Sequence, residues 1–181
     1  MSKDKAIPQL LTVFRQYGYE GATLARLSEA TGLGRASLYH HFPKGKEEMA
    51  ATVLDYLNQG LHDQILAPLR NDHPPVERIR AMNKNIDTFY HQGQQACLLA
   101  LLSVGEAHDL FQMQIQQTLE LWIDSLAKVL LDAGVAPKPA RQRAEDAILQ
   151  IQGALVLARG LNDTAPFKRV LKRLPEMLLN P

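Results

Sequence analysis

TLARLSEATGLGRASLYHHFPKGK, residues 23–46, is the stretch on which the fold turns. Thr23 is a suitable N-cap for a helix carrying Leu24, Leu27 and Ala30 on its inner face. Gly32 ends that helix and allows a sharp turn. Gly34 or Arg35 then starts a second short helix that runs to about His41. Leu38 and Phe42 are spaced to face inward, and Pro43 stops the helix. Two short helices joined by a tight turn, the second cationic and aromatic, have the geometry of a helix-turn-helix, which lays one helix in a DNA major groove.

Upstream, Ile7, Leu10, Leu11 and Phe14 mark one face of a first helix. Pro8 places its start nearby, and Gly18 closes it in the left-handed conformation. Downstream, Lys46-Glu47-Glu48 opens a fourth helix with acids suited to its N-terminal dipole. Met49, Val53, Leu57, Leu61 and Ile65 carry it towards Pro68. After the loop at 71–75, a fifth helix bears Val76, Ile79, Met82, Ile86 and Phe89, and Gly93 breaks it. Cys97 to Val104 reads as a buried helix. Phe111, Ile115, Leu119, Trp122, Leu126 and Leu130 line a seventh, with Gly134 beyond its end. An eighth spans roughly 139–161; its stretch ILQIQGALVLA (148–158) is apolar on nearly all sides, so it needs two partners. The ninth, about 165–179, should be kinked or shortened by Pro175. Nothing alternates as a strand would. The expectation is an all-α protein with a three-helix head at 1–47 and a larger helical body at 48–181.

Composition narrows the function. The 181 residues carry a net charge of +1, with 46% apolar and 22% charged residues, which excludes a polybasic neutraliser of nucleic acid. Between Arg26 and Lys46, however, Arg26, Arg35, Lys44 and Lys46 face a single acid, Glu29, a local excess that suits a site-specific binder. One cysteine, Cys97, excludes an internal disulfide and a cysteine-based zinc site. The N-terminus lacks the apolar run of a signal peptide, and no apolar stretch is long enough to span a bilayer. A cytoplasmic protein that contacts no membrane is expected. No paired acids, no Ser103-centred nucleophile arrangement and no phosphate-cradling glycine loop point to an enzyme. Neither a cofactor nor a metal is expected.

On the groove-facing helix, Arg35 can reach a base or a phosphate, and Ser37 is short enough to do the same. Gly34 and Ala36 permit close backbone approach. Because Leu38 and Phe42 already supply the core face, Tyr39 is free to offer its hydroxyl to a phosphate. His40 and His41 suit phosphates or base edges; adjacent helical residues point about 100° apart, which makes joint metal chelation poor. Thr23 can contact phosphate besides capping, and Lys46 sits where a helix start attracts an anion. Phe89, Tyr90, Phe111 and Trp122 read either as core or as pocket lining, with His62 and Gln116 as polar candidates. Two rivals to DNA binding remain at this point: an enzyme using an apolar cavity, and a ligand-sequestering or protein-interaction dimer.

Residues 7–50 resemble the DNA-binding head of the tetracycline-repressor-like (TetR) family of transcriptional regulators. The resemblance is carried by Phe14, Gly18-Tyr19, Thr23, Thr31-Gly32-Leu33, Leu38-Tyr39-His40-His41-Phe42 and Lys46-Glu47-Glu48. HFPKGKEE (41–48), Trp122, Ala133-Gly134-Val135, Gln152-Gly153-Ala154-Leu155 and Ala158-Arg159 resemble its LmrA/YxaF-like branch. The resemblance implies a nine-helix homodimer that represses from a pseudo-palindromic double-stranded operator, with Tyr39 and Lys46 on phosphates. It implies a pocket for a small hydrophobic or aromatic effector within helices 4 to 7, for which Phe89, Tyr90, Leu101, Phe111, Ile115, Leu119 and Trp122 are the candidates. It also implies pairing of the last two helices with those of a second subunit, for which Ile151, Leu155, Ala158, Phe167 and Leu171 are the candidates.

Overall fold

The computed structural model describes residues 2–180. Among them lie nine α-helices: α1 (Lys3–Gly21), α2 (Leu24–Thr31), α3 (Arg35–His41), α4 (Lys46–Gly60), α5 (Pro75–Phe89), α6 (Leu98–Leu102), α7 (Glu106–Asp132), α8 (Pro137–Leu161) and α9 (Ala165–Leu179). A wide π-helical turn, Leu61–Leu66, and a tight 3-10 turn, Ala67–Arg70, follow α4 directly. The expected long fourth helix therefore ends as α-helix at Gly60, with Met49, Val53 and Leu57 buried on α4 and Leu61 and Ile65 buried on the π-helical turn. The chain forms two compact units: the part up to Gln59 with Leu98–Ile115, and Gly60–Cys97 with the part from Gln116 on.

In the first unit α1 packs on α2 and α6, and α2 on α3. Leu10, Phe14, Leu27, Leu38, Phe42 and Met49 are fully buried, each side chain contributing about 1.5–3 kcal/mol of transfer free energy. Several local expectations are corrected. α1 starts at Lys3, not near Pro8, so Pro8 lies inside the helix. Its missing N–H deprives only the Asp4 carbonyl, one turn from the open helix end, and both residues face water. Gly18 (φ 68°, ψ −174°) breaks the regular path of α1 but does not close it, since the helix runs on to Gly21. On α2, Ala30 is exposed rather than inward; Thr31 takes the buried position, its hydroxyl donating to the Leu27 carbonyl at 2.7 Å. The expected helix at 97–104 shrinks to Leu98–Leu102, with Ala100 and Val104 exposed.

In the second unit α8 packs on α9, and α5 on α9 and on the turns after α4. α9 neither ends nor leaves helical backbone at Pro175, which lies inside it. The proline cannot donate to the Leu171 carbonyl one turn back. Asn83 of α5, itself buried, donates its Nδ2 to that carbonyl at 2.9 Å instead. A long-range side-chain bond thus replaces the missing backbone bond.

Candidate DNA-binding surface

The head is assembled by caps and short polar bonds. The Thr23 hydroxyl accepts the Arg26 N–H at 3.4 Å and so starts α2. Gly32 adopts φ 66° at the end of α2, in the left-handed region that favours glycine. The turn that follows is held by side chains: the Ser28 hydroxyl donates to the Leu33 carbonyl at 2.6 Å, and the Leu33 N–H donates to the Thr31 hydroxyl at 3.3 Å. Gly34 is the N-cap of α3. With the turn fixed and Leu38 and Phe42 buried, the rotation of α3 about its axis is set.

That rotation leaves Gly34, Arg35, Ala36, Ser37, Tyr39 and His40 exposed and His41 half-buried. The expected DNA-facing residues of α3 therefore share the solvent side of one helix. Tyr39 is 47% exposed. Its ring lies beside Gly45 (φ 67°), where an added Cβ would stand 3.2 Å from Tyr39 Cε1, so Gly45 both turns the chain and seats the ring. The His40 and His41 rings meet edge-on at 5.5 Å. Among the described residues no cluster of three metal-ligating side chains occurs.

Thr23 is exposed, its oxygen shared with the Arg26 amide. Lys46 is half-buried, its ammonium 4.0 Å above the Tyr19 ring and donating to the Tyr19 carbonyl at 3.3 Å. Two further groups had no assigned part in the site. Arg26 donates to the Gly21 carbonyl at 2.6 Å and stacks 4.1 Å from the Tyr17 ring, tying the end of α1 to α2. Glu48 accepts the Lys44 backbone N–H at 3.0 Å and the Lys3 ammonium at 3.4 Å, so it clamps the turn between α3 and α4. The Lys44 N–H, above all, holds the Glu48 carboxyl below its ordinary range, with Lys3 adding to the effect. An acid in the first turn of a helix is the sequence signal for such a brace. Burial pushes the Tyr19 phenol up, with Glu106, Glu47 and Glu20 adding to the effect.

The body residues distribute as follows. Phe111 and Ile115 are buried and Leu101 half-buried in the first unit; Tyr90 and Trp122 are buried and Phe89 and Leu119 half-buried in the second. Trp122 keeps its indole N–H without a protein partner, and the Tyr90 hydroxyl donates to Cys97 Sγ at 3.5 Å. Ile151, Leu155, Ala158, Phe167 and Leu171 are all buried within a single chain. The apolar side chains that α8 leaves in solvent are Leu149 (68% exposed), Val156 (66%), Leu157 (52%) and Leu161 (63%). Spaced at i, i+7, i+8 and i+12, these form the second stripe that the sequence required.

A capped helix, a glycine turn and a short helix with one buried and one cationic, aromatic face together define a helix-turn-helix DNA-binding protein. Residues 10–53 match the model of the bacterial regulatory proteins of the tetR family, and residues 75–173 match that of the transcriptional regulator LmrA/YxaF-like C-terminal domain. The chain belongs to the LmrA/YxaF-like branch of the TetR family and is a DNA-binding transcriptional regulator. It is similar to the HTH-type transcriptional regulator LmrA of Bacillus subtilis, 21% identical over 98% of this chain and 96% of that one. Over 59 residues, 31% of this chain and 32% of the relative, it is 39% identical to IcaR of Staphylococcus aureus, a negative transcriptional regulator of a biofilm operon. A TetR regulator from Legionella pneumophila shares the fold at a TM-score of 0.83, 22% identical over 97% of this chain and 96% of that one. These families and relatives are transcriptional regulators, not enzymes. No helix among the described residues is long and apolar enough to cross a membrane.

Proposed function

We propose that the protein is a cytoplasmic repressor that binds a pseudo-palindromic operator as a homodimer and is released by a small hydrophobic or aromatic effector. The observation that carries the DNA reading is the exposed face of α3. Arg35 and Ser37 read base edges, with Gly34 and Ala36 admitting the backbone close to the groove. Tyr39, His40, His41, Thr23 and Lys46 set register on phosphates. Half-sites then lie about 34–36 Å apart, or a multiple of that spacing.

The division of labour runs at about residue 47: residues 1–47 contact DNA, and 48–181 bind effector and partner. The bare stripe Leu149, Val156, Leu157 and Leu161 supports pairing of α8 with its copy. Exposed Gly153 and Gly160 lie between those leucines and have open space around them. Within the second unit, buried Tyr90 and Trp122, with half-buried Phe89 and Leu119, support an apolar effector site. The effector acts through its differential affinity for two spacings of the DNA-binding heads.

Footprinting of the purified protein on genomic fragments, with and without hydrophobic compounds, tests the reading. Protection of a two-fold-related sequence is expected. Arg35→Ala should cost about 1–3 kcal/mol and relax base preference at one position per half-site, and Tyr39→Phe, which removes an uncharged phosphate donor, should weaken binding about three- to tenfold across all sequences and leave the salt slope in place. Unchanged affinity in both variants would overturn it.

A further inference from the structure

Tyr19 and Glu20, just past the break in α1, engage two helix starts at once. Glu20 Oε1 accepts the Glu106 backbone N–H at 2.8 Å. Glu106 is the first residue of α7, where the amide lacks an intrahelical partner and the helix dipole favours a negative charge. Gly105 (φ 65°) makes room, since a Cβ there would overlap the Glu20 carboxylate. The buried Tyr19 ring meets the Phe111 ring of α7 edge-on at 5.9 Å and stacks on Phe14 at 6.3 Å. Its other neighbour is Lys46, the first residue of α4, whose ammonium lies over the ring and donates to the Tyr19 carbonyl. That carbonyl belongs to the peptide joining Tyr19 to Glu20. The same carbonyl accepts the Ala22 N–H at 3.2 Å, so the last turn of α1 and the Glu20 side chain on α7 together hold the acceptor that Lys46 meets.

We propose that Glu20 is a positioning residue for operator binding: by capping α7 it sets the place from which Lys46 reaches a DNA phosphate. The proposal rests on the assignment of Lys46 to phosphate contact made above. A lysine ammonium has three donors, so one on the Tyr19 carbonyl leaves two for a phosphate. A lysine held in place before DNA arrives forfeits less rotamer freedom on binding than a free one.

The test is a double-mutant cycle on the footprinted operator, titrated across a range of salt concentrations, with Glu20→Ala, Glu20→Gln, Lys46→Met and the double variant Glu20→Ala/Lys46→Met. Lys46→Met is expected to weaken binding about tenfold and to lower the slope of log affinity against log salt by about one per subunit. Glu20→Ala should weaken binding about three- to tenfold in the wild-type background and flatten the same slope, and should add nothing once Lys46 is Met. Glu20→Gln keeps the acceptor and should stay within about twofold. Gly105→Ala, which pushes the carboxylate off α7, should reproduce Glu20→Ala and replaces it if that variant fails to fold. Equal losses for Glu20→Ala in both backgrounds would overturn the proposal. Lys46→Met without effect would instead remove the phosphate assignment on which it stands.

Discussion

Replacing Asn83 by leucine tests how α9 tolerates its proline. In an α-helix the carbonyl of residue 171 accepts the N–H of residue 175, and Pro175 has none. Asn83 Nδ2 meets that carbonyl at 2.9 Å, in a site where Asn83 is 7% and Leu171 8% exposed. Without the amide, a buried carbonyl is left unpaired, at about 1–3 kcal/mol. The substitution also removes Asn83 Oδ1, which is buried without a partner, so part of the loss returns and a net destabilisation of about 1–2 kcal/mol is expected. For a chain of this size that lowers Tm by roughly 2–8 °C. Thermal and urea unfolding at one fixed protomer concentration measure it, because the stability of an oligomer depends on concentration. The decisive comparison is the Pro175→Ala background. There an N–H returns to α9, the Leu171 carbonyl is met within its own helix, and Asn83→Leu should fall within about 0.5 kcal/mol of neutral. An equal loss in both backgrounds would refute the reasoning.

Glu48→Gln should narrow its stability gap to the wild type in acid. The folded carboxyl titrates below its usual 4.5, so its contribution is whole above that pH and lost as the pH falls through the folded value; urea unfolding at pH 6 and pH 3 reads the difference. Leu157→Glu, alone or with Val156→Glu, places charge on the bare stripe of α8 and should yield monomers by sedimentation while each chain stays helical; a stable dimer would remove α8 from the interface. Gly32→Ala meets no neighbouring atom and is strained only by its φ of 66°, so about 1–2 kcal/mol is expected. Gly34→Ala, equally open but with φ −63°, should change unfolding by no more than about 0.5 kcal/mol.

The head was legible in sequence because local chemistry sets each of its choices. Thr23 can cap, Gly32 can turn left-handed, and on a seven-residue helix Leu38 and the following Phe42 leave only one possible inner face. The errors arose where a distant partner decides. Pro8 and Pro175 each carry an ordinary stop signal, yet Pro8 sits where water can serve the deprived carbonyl, and Pro175 where Asn83, far away in the chain, does so. On α8 both faces are apolar, so periodicity demands two partners without saying which stripe meets which. Packing against α9 settles it: the buried side is the one rich in Ala140, Ala144, Ala147, Ala154 and Ala158. Small side chains let a neighbouring helix approach closely, and that alanine spacing was the available signal for choosing Leu149, Val156, Leu157 and Leu161 as the outward set.

The same distinction explains why Lys46 was easier to find than what holds it. A lysine at a helix start is visible as a residue type in a position, and the helix dipole supplies a local reason to expect an anion there. Glu20 has no such signature. It lies 86 residues from its partner, beside a glycine break, and an exposed acid near the end of a helix ordinarily indicates only solvation. Its role appears once Gly105 is seen to leave space for its carboxylate and the Tyr19 carbonyl is seen to carry Lys46. Candidate DNA contacts can thus be read from residue type and local position, whereas a brace such as Glu20 is seen only where three helix ends converge.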